Sequence, residues 1–319
     1  MRLLAAPASL KGVLSAVEAA SALAAGIRRA GGEAIELPVA DGGESTAEVL
    51  QRVLGGDWLD VEAADPFGRR VAASILLFSS GDTVLVESAE AIGLGRLKDG
   101  ELDPLRASSA GLGELLEAAL ATGARSVIVS LGGSATVDGG AGLLSVLPSW
   151  PGGVELRVAC DVRNPLLGER GAARVFGPQK GASPAEVELL EQRLAAIDAL
   201  RPYRDLPGAG AAGGLGAALA SLGGELVSGA ELVLDLIGFD AAARAADLVV
   251  TGEGTVDGSS FEGKAPGAVR ARCERLGVPC VLFGGLVEAG VDAQALSGNP
   301  ARAREDLAAL GEELVRNRT

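Results

Sequence analysis

The 319-residue chain contains no histidine. That absence excludes Ser-His-Asp and Cys-His nucleophilic systems and any zinc site built on imidazole. Carboxylates, lysines, hydroxyls, backbone amides and oxygen-bound cations remain as chemical resources. Cysteine is scarce. Cys160, Cys273 and Cys280 are odd in number and form no CxxC pair, so neither a disulfide framework nor a thiolate metal site is expected, and a reducing cytoplasm suits the chain. Aromatic residues make up only 3%, and 42 acidic against 28 basic residues give a net charge of −14. With neither a stacking platform nor a basic footprint, nucleic acid is not an expected partner. No apolar run reaches the length of a membrane span, and MRLLAAPASLK is interrupted by Pro7 and Lys11 before a signal-peptide core forms. No membrane association is expected, and the opening residues read as a buried strand.

Lysine is also rare. Of the 28 basic residues only Lys11, Lys98, Lys180 and Lys264 are lysines. Lys98 sits in an ordinary LKDG turn, but the other three lie in the glycine-flanked loops LKG, QKG and GKA. A compact ammonium reaches phosphate or carboxylate oxygens in a tight loop where a guanidinium does not fit. This inventory suits phosphoryl transfer, which rests on positioning and electrostatics.

What is present is a large apolar content, 48%, enough for two modest domains. RLLAAP reads as a strand, followed by a helix opened by the capping box Ser15/Glu18 and running to about Arg29. AIELPVA is a second strand, and Ser45/Glu48 repeats the capping-box spacing before a second helix. From Trp58 to Glu87 the pattern changes to WLDVEA, RVAASILLF and TVLVES, short runs joined by turns, which predict hairpin-linked antiparallel strands. A helix over about 111–122, the strand SVIVS, the strand ELRVACDV, a helix from Ser183-Pro184 to about Leu200, the strands DLVV (ending at Thr251) and PCVLFGG, and a helix over roughly 301–316 complete the pass. Strand-helix units lie at both ends of the chain, so a middle segment is inserted into an open doubly wound α/β sheet. The expected division is 1–60 plus 245–319 for the outer domain and 61–244 for the insert.

Five strand ends run into small, acidic or glycine-rich turns: APASLKG, VADGGES, SLGGSATVDGGAG, ACDVRNPL and TGEGTVDGSS. In an open α/β sheet the carboxyl ends of strands face the ligand crevice, which places Lys11, Asp41, Glu44, Ser134, Asp138, Asp161, Asn164, Glu253 and Asp257 to converge. So many oxygen donors in five loops point to a polyanion with Mg²⁺. Each loop also has a plainer reading. LGGSATVDGGAG is either a turn with a helix N-cap or a phosphate cradle formed by amides such as those of Gly132 and Gly133. Asp161 either caps a turn or serves as base or metal ligand. FGPQKGA is either an ordinary Pro-Gly loop or a carrier of Lys180. PGAGAAGGLGA follows a proline-rich loop instead of a strand, so its glycines serve close packing and not a dinucleotide. In TGEGTVDGSSFEGKAPG the spacing Gly258-x4-Gly263-Lys264 imitates a phosphate-binding loop, yet Ala265 stands where that loop needs a hydroxyl for Mg²⁺. The imitation is read as accidental, and Glu253, Asp257 and Lys264 as the useful residues.

The stretches LKGVLSAVEAA, LPVADGGES, LGGSATVDGGAG, ACDVRNPLLGERGAARVFGPQKGA, LPGAGAAGGLGA and TGEGTVDGSSFEGKAP, in this order, resemble the two-domain bacterial glycerate kinase family. The resemblance implies a flavodoxin-like domain with a second α/β domain inserted, an active site in the cleft between them, and ATP-dependent, Mg²⁺-assisted phosphorylation of glycerate at its 2-hydroxyl. It implies a monomer or homodimer. On that reading Asp161 is the candidate base, with Asp257 second, and Lys180 and Lys264 offset charge on the transferred group. Lys11, Asp41, Glu44, Ser134, Asp138 and Asn164 bind substrate. Gly132, Gly133, Glu253 and Asp257 hold Mg-ATP, the metal itself falling to Glu253 and Asp257. The chain departs from the family pattern at Ala8, Leu10, Ala110, Leu112, Val137, Arg163 and Thr255, and only PSWPGG remains of a longer segment between Leu147 and Val154. Those at 8, 110, 137 and 255, with the trimmed middle segment, motivate a second reading, a kinase-descended protein that binds a nucleotide or small hydroxy acid without transferring phosphate. A Mg²⁺-dependent phosphatase is a third, without a recognisable nucleophile motif.

Overall fold

The structure, a computed structural model, describes residues 1–317 apart from 44, 99 and 262. Among the described residues eleven strands form two sheets: β1 (Arg2–Ala5), β2 (Glu33–Glu36), β3 (Gly56–Ala64), β4 (Arg70–Phe78), β5 (Thr83–Glu87), β6 (Ser126–Ser130), β7 (Glu155–Ala159), β8 (Glu225–Val227), β9 (Leu248–Val256), β10 (Cys280–Val287) and β11 (Gln294–Ala295). The chain divides into two compact units, Met1–Asp41 with Glu48–Val53 and Ala230–Thr319, and Gly42–Ala47 with Leu54–Gly229. The change-overs fall earlier in the chain than residues 60 and 244. β3 pairs with β4 along its whole length, which draws residues 56–60 into the second unit. Arg272 holds Glu231, Asp235 and Asp240, which draws the segment after 229 into the first.

The first unit carries a parallel sheet in the order β11-β10-β9-β1-β2. Numbered by appearance within the unit, that order is 2-1-3-4-5, the flavodoxin-like doubly wound arrangement. Leu3, Ala5, Leu248, Val250 and Phe283 pack on the helices Ala16–Arg29 and Ala303–Arg316. Leu4 and Val249, on the opposite side of the pleat, are also fully buried, which explains why these strands read as continuous apolar runs. The two helices cross at glycines: a Cβ on Gly26 would lie 1.8 Å from the Ala308 carbonyl oxygen, and one on Gly311 2.5 Å from that of Leu23. The Ser15/Glu18 capping box forms as expected, with the Ser15 amide donating to Glu18 at 2.9 Å and the Glu18 amide to Ser15 at 3.3 Å.

The second unit carries a mixed sheet in the order β3-β4-β5-β6-β7-β8, antiparallel from β3 to β5 and parallel beyond. The hairpins expected between Trp58 and Glu87 are therefore present. Leu112, Leu115, Leu116 and Ala119 of the helix Ala110–Ala121 join Val84, Val86, Val127 and Val129 in one core. A second core gathers Val137, Leu166, Ala172, Leu190 and Leu194. The glycine-rich segment closes on the loop after β6: Ala212, Gly213 and Gly214 are all left-handed, with φ of 51°, 74° and 99°, and a Cβ on Gly213 would lie 2.0 Å from the Thr136 carbonyl oxygen. Its glycines do serve close packing, but between two loops as well as within a helix.

Three local expectations change. β9 does not end at Thr251 but runs through TGEGTV to Val256, because β10 continues beside it with Phe283 opposite Gly252 and Leu286 opposite Thr255. The helix from Pro184 ends at Ala195, five residues before Leu200, and a 3₁₀ turn fills the remainder. Ser45 has φ 67°, outside the extended backbone an N-cap requires, so the Ser45/Glu48 box does not form. The Ala47 amide at the start of that helix donates instead to Glu87 at 2.9 Å.

Candidate active site

In the first unit the chain leaves β1 toward β2 on one side and reaches β9 on the other, so the β1/β9 boundary is the topological switch point where doubly wound sheets bind ligands. The loop after β1 carries Lys11, exposed in a tight turn closed by reciprocal Leu10–Leu14 main-chain bonds of 2.9 and 3.0 Å. Gly254 lets β9 approach the main chain of this turn, since a Cβ there would lie 3.3 Å from the Lys11 backbone nitrogen. The Thr251 hydroxyl ties the two strands further, donating to the Ala6 carbonyl at 2.7 Å.

Glu253 stands near the end of β9. It accepts from the buried Ser260 hydroxyl at 2.6 Å, and Lys264 Nζ lies 3.8 Å from the same oxygen. Burial pushes its carboxyl above the ordinary range, and the charges of Asp41 and Asp257 push the same way, against Ser260 and Lys264. Asp41, Glu253, Asp257 and Lys264 are thus brought into one electrostatic cluster. A 3₁₀ turn, Gly258–Phe261, separates Asp257 from Lys264, and Lys264 is the N-cap residue of the helix Ala265–Leu276. The spacing that imitates a phosphate loop is this turn, whose Ser260 is already bound to Glu253. Among the described residues no group of three or more His, Cys, Asp or Glu side chains has metal-holding geometry. Glu253 and Asp257 are the carboxylates of this cluster that could take a hydrated cation, of the kind Mg²⁺ presents with one or two carboxylates and its own waters.

In the second unit β5, β6, β7 and β8 are mutually parallel, so their carboxyl ends lie along one edge. The loop after β6 is laced to the segment 88–94: Ser88 Oγ donates to Gly132 O at 3.3 Å, the Leu94 amide to Gly133 O at 2.7 Å, and the Ala135 amide to Ile92 O at 2.8 Å. Lys180, 3% exposed, reaches under this loop and donates to Ser134 Oγ at 3.0 Å and Thr136 O at 2.8 Å. Burial pushes its amine down to about 7, against the charge of Asp138, which holds it up.

Asp138 takes four donors: the Ser109 amide and hydroxyl, both at 2.8 Å, and the amides of Gly140 at 3.0 Å and Gly142 at 3.1 Å. These bonds brace the loop, and sequence reasoning missed the partner, Ser109. Asn164 likewise serves its own loop, its side-chain amide donating to Arg170 O at 2.8 Å. Asp161, just after β7, accepts from the Gly229 amide at 3.0 Å. Burial pushes the thiol of Cys160 beside it up to about 11, which keeps it protonated near neutral pH. Glu44 lies outside the described residues. Within this unit the structure brings together Ser134, Lys180 and Asp138, with Asp161 and Asn164 on the neighbouring strand end. Val137 is a core residue beside Leu166 and takes no polar part.

Two α/β units, each with glycine-rich and polar strand ends, define the class of protein. The chain belongs to the glycerate kinase family: the description of that family matches residues 3–149 and 147–303. It is 38% identical to the glycerate 2-kinase of Escherichia coli K12, over 89% of this chain and 85% of that protein. It is 37% identical to the glycerate kinase of Bacillus subtilis 168, over 90% and 85%. A solved structure assigned as glycerate kinase 2 of Salmonella typhimurium LT2 superposes with a TM-score of 0.87 at 34% identity, covering 99% of this chain and 98% of that one.

Proposed function

We propose that the chain transfers the terminal phosphate of ATP to the 2-hydroxyl of glycerate. The single observation that carries this reading is the 38% identity to a glycerate 2-kinase across nearly the full length of both chains. The cluster at the switch point supports it. Glu253 carries an elevated proton affinity first because it is buried and further because Asp41 and Asp257 crowd it, and a cation relieves that crowding. Mg²⁺, when bound by Glu253 and Asp257, supplies charge neutralisation for the ATP phosphates.

The chain's own residues divide the remaining work. Lys264 at its helix N-terminus attracts phosphate oxygens, and Lys11 pairs with the substrate carboxylate. The amides of Gly132 and Gly133 cradle phosphate, in a loop that Lys180 and Asp138 hold in shape. Asp161, oriented by the Gly229 amide, takes the proton of the attacking hydroxyl. The reaction is placed in the cytoplasm.

The reading in which the chain binds without transfer draws on two departures in site-facing stretches, Ala8, whose amide is in the ladder with Gly252 O at 2.9 Å, and the exposed Thr255. Val137 no longer supports it, being in the core. A coupled ADP-release assay with Mg-ATP and glycerate separates the two. Turnover that falls about 10²–10³-fold in Asp161→Asn and Lys264→Ala is expected. Thermal stabilisation by Mg-ATP with no ADP release identifies a binder.

A further inference from the structure

β5 ends on Glu87 and β6 on Ser130, and the two are cross-strand partners at the last position of the pairing. Ala159, the last residue of β7, extends the same row beyond Ser130. Both polar side chains are used on the main chain of one short segment, Gly42–Ala47. Ser130, 1% exposed, donates its hydroxyl to the carbonyls of Gly42 and of Gly43, the latter at 2.9 Å. Glu87 accepts the Ala47 amide at 2.9 Å. Gly42 is seated against the third member of the row: its φ is 83°, and a Cβ there would lie 2.9 Å from that of Ala159. Inside the segment the Thr46 hydroxyl donates to Gly43 O at 2.8 Å. The grip thus falls on Gly42 and Gly43 at one end of the segment and on Ala47 at the other, and Gly42 and Ala47 are the first and last residues that this segment contributes to the second unit.

A strand that ends its buried run on a polar residue usually turns that residue toward solvent or ligand. Here two neighbouring strands do so, and each side chain bonds backbone groups of Gly42–Ala47. We propose that Glu87 and Ser130 are positioning residues that clamp the two ends of Gly42–Ala47, at Gly42 and Gly43 on one side and Ala47 on the other, and hold those ends in their working placement. As regards catalysis, this rests on the kinase reading above. Glu87 acts as a hydrogen-bond acceptor, so its charge is dispensable, whereas its acceptor oxygen is not.

Hydrogen exchange of the full-length chain, read by mass spectrometry over residues 40–50, tests the clamp without reference to turnover. In Glu87→Ala and Ser130→Ala the amides of 42–47 should exchange at least about tenfold faster, as the loss of one such bond implies, with β5, β6 and β7 unchanged. Glu87→Gln should restore parental exchange. In the ADP-release assay the alanine variants should lose about 10–100-fold in kcat/KM, and Glu87→Gln should stay near the parent. Unchanged exchange in both alanine variants would overturn the proposal, as would faster exchange throughout the sheet. So would Glu87→Gln behaving as Glu87→Ala, which would mean that the charge is what matters. A parent chain that turns over no glycerate but shows the exchange pattern would leave the clamp standing and remove the kinase reading alone.

Discussion

Lys180 Nζ lies 3.0 Å from Ser134 Oγ and 2.8 Å from the Thr136 carbonyl, with 3% of the residue exposed. Two donors used inside the protein are all that a neutral amine has to offer, which accords with burial pushing the group down to about 7 from 10.5. Between those values the unfolded chain binds the proton and the folded chain releases it, so this group makes stability rise with pH across about 7 to 10.5. Urea unfolding midpoints taken from pH 7 to 9.5 should climb in the parent and flatten in Lys180→Met. Parallel curves would contradict the assignment.

Glu253 has the opposite sign. Its carboxyl is pushed up, first by burial, so the folded chain holds the proton more tightly than the unfolded chain and stability falls as pH rises from 4.5 through the folded value. Glu253→Gln keeps an acceptor for Ser260 and removes a charge near Asp41 and Asp257. The ligand-free variant should melt higher than the parent at pH 7, yet lose stabilisation by Mg-ATP and about 10²–10³ in rate. A variant that melts lower, or binds Mg-ATP as the parent does, would refute the cluster's role.

Asp138 braces its loop through four local donors. Asp138→Ala strands the donors of Ser109, Gly140 and Gly142 and should cost about 3 kcal/mol in urea unfolding. Asp138→Asn, which keeps one acceptor oxygen, should cost about half as much. Loss of activity with unchanged stability in both variants would return Asp138 to the substrate-binding residues.

Two glycines distinguish packing from phosphate binding. Gly26→Ala drives a methyl into the Ala308 carbonyl and should cost at least about 2 kcal/mol. Gly258 has open space around its missing Cβ and no positive φ, so Gly258→Ala should alter stability and turnover by no more than about twofold in the corresponding constants. A large rate loss at Gly258 would mean that 258–264 is a phosphate loop after all.

Most of the architecture was legible because local signals agreed with the global fold. Ser15 with Glu18 and Ser183 with Glu186 specify their own helix starts, and continuous apolar runs mark strands buried on both faces. Where a tertiary partner decides, local reading stops. Ser45 has the right spacing for a cap, but Glu87, forty residues away, takes the amide instead. Gly26 and Gly311 look like ordinary helix glycines until their helices cross. At the site, residue types were readable and partners were not: nothing near Asp138 announces Ser109, and nothing in FGPQKGA states that Lys180 is buried under Ser134. Glu87 and Ser130 did leave a signal, as polar residues that end the apolar runs TVLVE and SVIVS.

The most direct measurement is ³¹P NMR of the product formed from Mg-ATP and glycerate by the parent chain and by Asp161→Asn. The account predicts 2-phosphoglycerate, stoichiometric with ADP, from the parent and about 10²–10³-fold less from the variant. Formation of 3-phosphoglycerate, or no phosphorylated product while Mg-ATP still raises the melting temperature, would contradict it.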